Sequence, residues 1–192
     1  MAKVVRPGMT SLYPTPVVVV TCALPDKPPN GLAIAWTGVL CSQPPLVGVA
    51  MRPERYSHYI ISRTGEFVIN IPKAEQVGVV DKFGMVSGRE VDKFALTGVT
   101  AAQGREVKAP LIEEFPVNLE CRVHQRIIFG THELFVAEVV AVHVDSDCLE
   151  HGAEFDTDAA SPLVFVPLNG EYRSVGDTEG TYGFTTQAQR PQ

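Results

Sequence analysis

The segment 51–63 combines positive charge with a hydroxyl group at the expected start of a helix. It contains three arginines and one glutamate, so its net charge is +2 in a chain whose net charge is −6. Guanidinium groups match phosphate oxygens in charge and geometry, and the free N–H groups at a helix start attract anions. Arg52, Arg55 and Ser57 therefore form a candidate site for a phosphorylated ligand. A solvated helix end with ordinary ion pairs explains the same residues, and both interpretations stay open.

Three further residues have side chains suited to holding a flat ligand or an anion. Trp36 is the only tryptophan, and in its apolar stretch it serves either the core or a stacking platform. His132 follows a Gly-Thr turn, and its imidazole is either structural or a donor to a cofactor ring. Lys93 lies in the sequence SGREVDKF, where acids and bases are mixed as in a surface loop. Residue type alone does not choose between these roles.

Several catalytic signatures do not occur in the sequence. It has no glycine-rich dinucleotide fingerprint after the first apolar stretch, no P-loop, no His-Glu-x-x-His and no Gly-x-Ser-x-Gly. Cys22, Cys41, Cys121 and Cys148 form no Cys-x-x-Cys pair, so we expect no metal site and reduced, mostly buried thiols in the cytoplasm. The acidic balance argues against a nucleic-acid partner. No apolar run approaches the roughly 20 residues of a membrane span, so no membrane partner is expected.

The elements that must position the candidate residues are mainly strands. Apolar and β-branched runs predict strands at 16–23, 32–40, 45–51, 66–72, 117–127, 132–145 and 162–168. A Pro-Pro-Asn-Gly turn before the second run predicts a hairpin between the first two. Short helices are predicted at 57–65, with Ser57 as its N-cap and Gly65 as its end, and at 73–84. Residues 87–104 are predicted to form a long, loop-rich excursion.

The long strands and the short helices together indicate the fold class. In 117–127, apolar residues alternate with polar ones such as Asn118 and Glu120, which predicts one dry face and one wetter face. Helices this short and few do not suit a doubly wound parallel sheet. We therefore expect a closed antiparallel barrel with short flanking helices.

The order and spacing of these segments resemble the flavin reductase-like family of FMN-binding split barrels, most of all its flavoredoxin branch. The resemblance is carried by residues 12–20, 30–60, 65–72, 80–100, 109–123 and 130–145, with 170–176 matching a closing tyrosine segment. It implies a mainly β, six-stranded antiparallel Greek-key split barrel. It also implies one domain over residues 1–192, with a barrel core at about 12–176 and a C-terminal tail at 177–192. Homodimers with one FMN per subunit are expected.

The resemblance also assigns residues to the cofactor. The implied FMN-binding positions are Asn30, Ala33, Ala35, Trp36, Thr37, Cys41, Ser42, Arg52, Arg55, Tyr56, Ser57 and Lys93. Asn30, Ala33, Ala35, Trp36 and Thr37 line the flavin. Cys41 and Ser42 approach the edge of its ring. Arg52, Arg55, Tyr56, Ser57 and Lys93 bind the phosphate. His132 occupies a position near the flavin ring and an incoming nicotinamide, and it is the candidate catalytic residue.

Three functions follow as expectations. The first is NAD(P)H-dependent reduction of FMN, with hydride passing from NADH or NADPH to flavin N5. The second is electron transfer of the flavoredoxin type, in which tightly held FMN relays electrons between redox partner proteins without direct NAD(P)H chemistry. The third is a ligand-binding or structural barrel without FMN. Ala33 and Pro53 motivate it, because relatives often carry a hydroxyl residue at the first position and some carry a lysine at the second.

Overall fold

The computed structural model describes residues 1–151 and 154–187. Its strands are β1 (Thr15–Pro16), β2 (Val18–Cys22), β3 (Asn30–Ile34), β4 (Thr37–Ser42), β5 (Pro45–Met51), β6 (Glu66–Ile71), β7 (Ala101–Ala102), β8 (Leu111–Ile112), β9 (Val117–Phe129), β10 (His132–Val144), β11 (Leu149–Glu150), β12 (Glu154–Phe155), β13 (Leu163–Val166) and β14 (Glu171–Ser174). Its helices are α1 (Tyr56–Thr64), α2 (Val77–Met85), α3 (Lys93–Thr97), α4 (Thr157–Ala160) and α5 (Phe184–Gln187). Short 3-10 helices lie at Ala74–Gln76 and Ser146–Cys148. Residues 188–192 of the expected tail lie outside the described residues.

Seven strands form one antiparallel sheet in the order β3-β2-β6-β9-β10-β5-β4. The two edge strands of this sheet are consecutive in the chain, because only Ala35 and Trp36 separate them. The sheet therefore curls until its edges meet, and β3 and β4 act as two halves of one bent strand in a six-stranded barrel. A separate three-stranded sheet, β1-β13-β14, lies outside the barrel sheet.

The predicted single strand at 32–40 is wrong, because the chain changes its pairing partner part-way. Val18 pairs with Ile34 at the end of β3, whereas Thr37 pairs with Val49 at the start of β4. The two-residue bend between them directs each half to a different side of the line where the two edges of the sheet meet, which we call the seam. At the bend the N–H of Ala50 donates to the carbonyl of Trp36 at 2.9 Å. The predicted hairpin of the first two strands is present as β2 and β3.

The N-cap of helix α1 lies two residues earlier than predicted. Arg55 is the N-cap residue, with extended backbone angles and no side-chain capping bond. Ser57 lies inside the first turn instead, and its Oγ accepts a hydrogen bond from Asn30 Nδ2 at 2.8 Å. Gly65 ends the helix as predicted, with φ of 70°, a left-handed conformation that glycine adopts without steric cost.

The predicted wetter face of β9 is buried over its first half. Asn118 Nδ2 donates to Asn70 Oδ1 at 2.9 Å, in a hydrogen-bonded cluster under β8. Glu120 is fully buried and accepts the backbone N–H groups of residues 105–107 at 2.7 to 2.8 Å. The loop before β8 therefore covers this face, and charge-assisted hydrogen bonds offset the burial of the carboxylate.

The core is divided into an inner and an outer part by the barrel wall. Val18, Val20 and Phe135 belong to the inner cluster, and Val19 and Phe83 belong to the outer cluster against α2. Strand β2 is thus buried on both faces, as its continuous β-branched sequence predicts. Each such side chain stabilises the fold by about 1.5–3 kcal/mol when it is removed from water. Among the described residues, no helix is both long enough and apolar enough to cross a membrane.

Candidate functional site

Two adjoining hollows lie at the seam of the barrel, and both are lined by Leu32 and Arg55. The first, about 180 Å³, is completed by Ala33, Ile34, Ala35, Trp36, Ala50, Met51, Arg52, Gly84 and His132. The second, about 170 Å³, is completed by Asn30, Glu54, Tyr56, Ser57, Met85, Val86, Ser87, Gly88 and Lys93. The first has a mainly apolar lining with two aromatic rings, as an aromatic ligand ring requires, and we call it the ring hollow. The second has more polar and charged side chains, as an anion requires, and we call it the phosphate hollow.

Lys93 supplies a buried positive charge to the phosphate hollow. It begins α3, is only 2% exposed, and its Nζ donates to the carbonyls of Gly31 at 2.8 Å and Phe83 at 2.7 Å. No carboxylate forms an ion pair with this ammonium group within residues 1–151 and 154–187. Burial, and then the charge of Arg55, lowers the pKa of Lys93 to about 8. The two carbonyls leave one N–H donor of the cation for an anion in the hollow.

Asn30 presents an unused acceptor in the same hollow. Its Nδ2 donates to Ser57, whereas its buried Oδ1 has no hydrogen-bond partner among the described atoms. This oxygen faces Gly88, where an added Cβ would lie only 2.0 Å away. A buried acceptor without a partner is costly, so it fits a ligand that brings a hydroxyl or N–H donor.

Two more cations surround the hollows at the surface. Arg55 lines both and forms no ion pair within the described part of the chain, so its guanidinium is free to bind an anion. Arg52 lines the ring hollow and pairs with Glu54 at 3.5 Å, where both side chains are more than half exposed. Such an exposed pair contributes little to stability and is readily rearranged around a ligand.

Trp36 and His132 form one wall of the ring hollow. Their ring centroids are 4.2 Å apart and their planes are tilted by 40°. Trp36 is 41% exposed, so the sequence's core interpretation does not describe it. Thr131 Oγ1 lies 2.9 Å from His132 Nδ1, and burial followed by the charge of Arg52 lowers the pKa of the imidazole. The lowered pKa favours the neutral imidazole, which can donate or accept one hydrogen bond through its other nitrogen.

A buried carboxylate connects the two elements that carry these residues. Glu133 follows His132 on β10, and its Oε2 lies 2.7 Å from Nε2 of His58, which follows Ser57 on α1. Arg126 also donates to Glu133, and this bond, followed by that of His58, lowers the pKa of the carboxyl. The first turn of α1 and the start of β10 are thus held together behind the site.

Three predicted positions lie outside both hollows. Thr37 Oγ1 donates to the Gly48 carbonyl at 2.8 Å, and the Cys41 thiol donates to the Gln43 carbonyl at 3.3 Å. Ser42 ends β4 and is exposed. Their contact with a flavin stays a prediction, and within one chain these side chains serve the edge strand.

The arrangement fits a phosphorylated aromatic cofactor, and comparison with known proteins agrees. The flavin reductase-like domain matches residues 9–176. The chain belongs to this family. A flavoredoxin of Desulfovibrio vulgaris (Miyazaki F) superposes with a TM-score of 0.90 at 34% identity, covering 96% of this chain and 99% of that one. The predicted flavoredoxin likeness and the split-barrel fold are therefore confirmed.

Two other members of the flavin reductase-like family have informative names. The flavin reductase of Pseudomonas putida is 30% identical over 138 residues, which are 70% of this chain and 76% of that protein. An FMN-binding protein of Thermus thermophilus superposes with a TM-score of 0.77 at 26% identity, covering 94% and 97% of the two chains. A protein named as a flavin reductase and one named as an FMN-binding protein are thus both similar to this chain.

Sequence reasoning missed part of the phosphate hollow in this flavin reductase-like chain. Ser87 and Gly88 line it, yet they lie in the stretch that was predicted to be only a loop-rich excursion. The Ser-Gly pair after α2 was the available signal, since glycine often marks a close approach of the backbone. Gly84, which lines the ring hollow from the last turn of α2, has no such local signature.

Proposed function

We propose that this chain is a flavoprotein oxidoreductase that binds FMN and uses NADH or NADPH to reduce it. The observation that carries the proposal is the phosphate hollow, where buried Lys93, Ser57 and the unpartnered oxygen of Asn30 meet beside free Arg55. Buried Lys93 and free Arg55 provide the positive field that a phosphate dianion requires. The similarity to an FMN-binding protein of Thermus thermophilus favours FMN as the flavin.

Each group of residues has a role in this proposal. Lys93, Ser57 and Arg55 hold the phosphate, and Asn30 accepts from a hydroxyl of the sugar chain. Ala33, Ala35 and Trp36 exclude water from one side of the ring. When bound, FMN supplies hydride acceptance at N5 and one- or two-electron transfer, so the protein needs no nucleophile of its own. His132 orients the nicotinamide or donates to the edge of the flavin.

A visible absorption spectrum tests the cofactor. The purified protein is incubated with FMN, freed from the excess, and scanned for retained flavin bands at about 370 and 450 nm, at about one flavin per subunit. Retained bands support the cofactor role. Failure to take up FMN would contradict the proposal and favour the third expectation, a ligand-binding or structural barrel.

Anaerobic mixing with NADH and NADPH tests the activity. Bleaching of the bound flavin within seconds supports the reductase. A flavin that stays oxidised with both donors supports the second function, electron transfer between proteins, which the 34% identity with a flavoredoxin favours. In that case a reduced redox partner protein, rather than a nicotinamide, would bleach the flavin.

We further propose that the active form is a homodimer in the cytoplasm. Large apolar side chains are exposed at the bend before β4, on β4 and at the end of β9, namely Trp36, Val39, Leu40, Ile128 and Phe129. A monomer rarely leaves so many large apolar groups in water, so a second copy of the chain is the proposed cover. All four cysteines are free thiols, which supports a reducing compartment. The domain remains proposed as a single unit with a C-terminal tail.

A further inference from the structure

The outer face of α1 carries a row of two aromatic rings and two guanidinium groups, which we call the tyrosine ladder. Tyr56 and Tyr59 are stacked, with ring centroids 6.1 Å apart and planes 11° from parallel. The Arg89 guanidinium lies 5.2 Å from the Tyr56 centroid, and that of Arg63 lies 5.1 Å from the Tyr59 centroid. Spacings of three and four residues place the three helical members on one face.

The ladder is partly exposed and its charges are largely unused. Tyr56 is half-buried and packs against the inner core cluster. Tyr59 is 42% exposed. Within the described residues, the Arg63 guanidinium makes no hydrogen bond or ion pair, and the Arg89 guanidinium donates only to the carbonyl of Glu54, at 3.0 Å. Exposed contacts between guanidinium groups and rings add little to helix stability. Flat apolar faces beside free guanidinium donors are instead the chemistry that recognises a purine next to phosphate.

The ladder connects the phosphate hollow to another basic hollow. Tyr56 lines the phosphate hollow, and Arg63 lines a cavity of about 570 Å³ together with Lys108, Glu66 and the apolar residues Leu24 and Pro25. The two cations outnumber the one carboxylate, whose Oε1 accepts the backbone N–H of Lys108 at 2.8 Å. From Tyr56 to Arg63 the helix rises about 10 Å. An anionic ligand that begins at the FMN phosphate can therefore continue along this face to a second positively charged and partly apolar site.

We propose that the tyrosine ladder and the hollow beside Arg63 bind an adenosine diphosphate group. Arg89 and Arg63 hold the phosphates, and Tyr59 with the apolar wall of the hollow receives the adenine. An acidic protein surface would match the arginines but leave the flat rings without a function. The inference rests on the proposed flavin function, because the group arrives either as part of FAD or as part of the dinucleotide donor.

Paired flavin titrations test the FAD source. FMN and FAD are titrated into the wild-type protein, Arg63→Ala and Tyr59→Leu, with Arg173→Ala as a control that removes an exposed arginine paired with Glu171 elsewhere. We expect the first two variants to bind FAD about fivefold to tenfold more weakly while FMN affinity is unchanged. Tyr59→Phe, which keeps the ring, should restore FAD affinity. The control should bind both flavins as the wild type does.

Steady-state kinetics test the dinucleotide source. With FMN bound, the KM for NADH is compared with that for reduced nicotinamide mononucleotide, which has the same hydride but no adenosine. If the ladder holds the donor, Arg63→Ala raises the KM for NADH about fivefold and leaves the KM for the mononucleotide unchanged. The flavin ratio is the dissociation constant of FAD divided by that of FMN, and the donor ratio is the KM for NADH divided by that for reduced nicotinamide mononucleotide. A change in either ratio supports the proposal and identifies the source.

The outcome that overturns the inference is specific. If Arg63→Ala and Tyr59→Leu leave both ratios within twofold of the wild type, the ladder binds no adenosine diphosphate group. If FMN fails to bind at all, the proposed function is contradicted, and titration with ADP alone then tests the ladder directly. ADP that binds the wild type and Arg63→Ala equally weakly would overturn it without reference to flavin.

Discussion

At the scale of single residues, His132 and Lys93 line different hollows and have different proposed tasks. His132 contacts Trp36 at the ring hollow, whereas Lys93 lies under the phosphate hollow and donates to two carbonyls. Removing the His132 side chain should therefore disturb the reaction, and removing the Lys93 side chain should disturb FMN binding. The buried ammonium group of Lys93 also predicts a dependence of FMN binding on pH.

Replacing His132 with alanine should lower turnover more than flavin affinity. The imidazole borders the space where nicotinamide must meet the ring, so its loss misplaces the reactants and should cost about tenfold or more in kcat. The dissociation constant of FMN should change by less than about threefold, because the phosphate contacts are intact. Stopped-flow bleaching and a fluorescence titration measure the two quantities. Unchanged values of both would remove His132 from the mechanism.

FMN affinity should fall as the pH rises through about 8. The pKa of Lys93 is about 8 in the free protein, so its ammonium group loses its charge above that pH, while the phosphate stays a dianion. The dissociation constant should rise by at most about tenfold per pH unit. Titrations from pH 7 to 9.5 measure it. Lys93→Met should bind weakly with a flat profile, and a flat wild-type profile would contradict the prediction.

At the scale of elements, the loop after α2 is shaped around Asn30. A Cβ at Gly88 would lie 2.0 Å from Asn30 Oδ1, closer than real atoms come, so one of the two must move. Gly78, within α2, has no heavy atom within 4 Å of the corresponding position. A glycine-to-alanine substitution should therefore disturb the structure at Gly88 and be accommodated at Gly78.

Gly88→Ala should weaken FMN binding by about tenfold, because the displaced oxygen belongs to the phosphate hollow. Gly78→Ala, the matched control, should leave binding unchanged and stabilise the protein by about 0.5–1 kcal/mol, since alanine loses less backbone entropy in a helix. Flavin titrations and urea unfolding of both variants provide the comparison. Equal FMN affinities would show that the loop tolerates the added methyl group.

The loop over β9 depends on one buried carboxylate. Burial alone would raise the pKa of Glu120, but hydrogen bonds from His143 and from the backbone of residues 105–107 lower it to about 2. A carboxyl with a depressed folded-state pKa stabilises the protein above its unfolded value of about 4.3. That contribution is lost as the pH falls from about 4.3 through about 2.

Urea unfolding at pH 6 and pH 3 should reveal this dependence. The wild type should lose more stability between the two conditions than Glu120→Gln, whose amide does not titrate. Asp147→Asn is a suitable control, because Asp147 is an exposed carboxyl in the short 3-10 helix Ser146–Cys148. If the wild type and Glu120→Gln respond to acid identically, Glu120 is not the group responsible.

The strands were predictable from sequence because their side chains encode burial directly. Val18, Val19 and Val20 are β-branched and lie in a strand that is buried on both faces. Their continuous apolar run predicts such a strand. The bend at Trp36 was not predictable in this way, since it results from barrel closure and from partners distant in the chain. Ser57 and Glu120 show the same limit: their roles depend on residues 27 and 13–23 positions away.

At the scale of the whole molecule, the exposed apolar side chains near the seam are the proposed dimer interface. Ile128 is 81% exposed at the tip of the β9–β10 hairpin. Val142, at the other end of the same hairpin, is also exposed. The proposed homodimer assigns the first to a subunit interface and makes no use of the second.

Ile128→Lys should shift the protein from dimer to monomer, because a charge replaces an apolar side chain at the proposed interface. Val142→Lys, the control on the same hairpin, should remain dimeric. Sedimentation velocity at several concentrations measures the assembly, and flavin content measured in parallel reports whether the site needs the second copy. A wild-type monomer, or two variants with the same mass as the wild type, would contradict the prediction.

The position of Trp36 gives the molecule a built-in optical reporter. Because the chain has no other tryptophan, its long-wavelength ultraviolet emission arises entirely from the two-residue bend where the barrel closes. A flavin in the neighbouring hollow would quench that emission by energy transfer, so occupancy can be read without a label. Emission followed during denaturation would detect opening of the seam, while circular dichroism follows the remaining sheet. If the midpoint of the emission change comes at a lower denaturant concentration than the midpoint of the circular dichroism change, the seam opens before the remaining sheet unfolds.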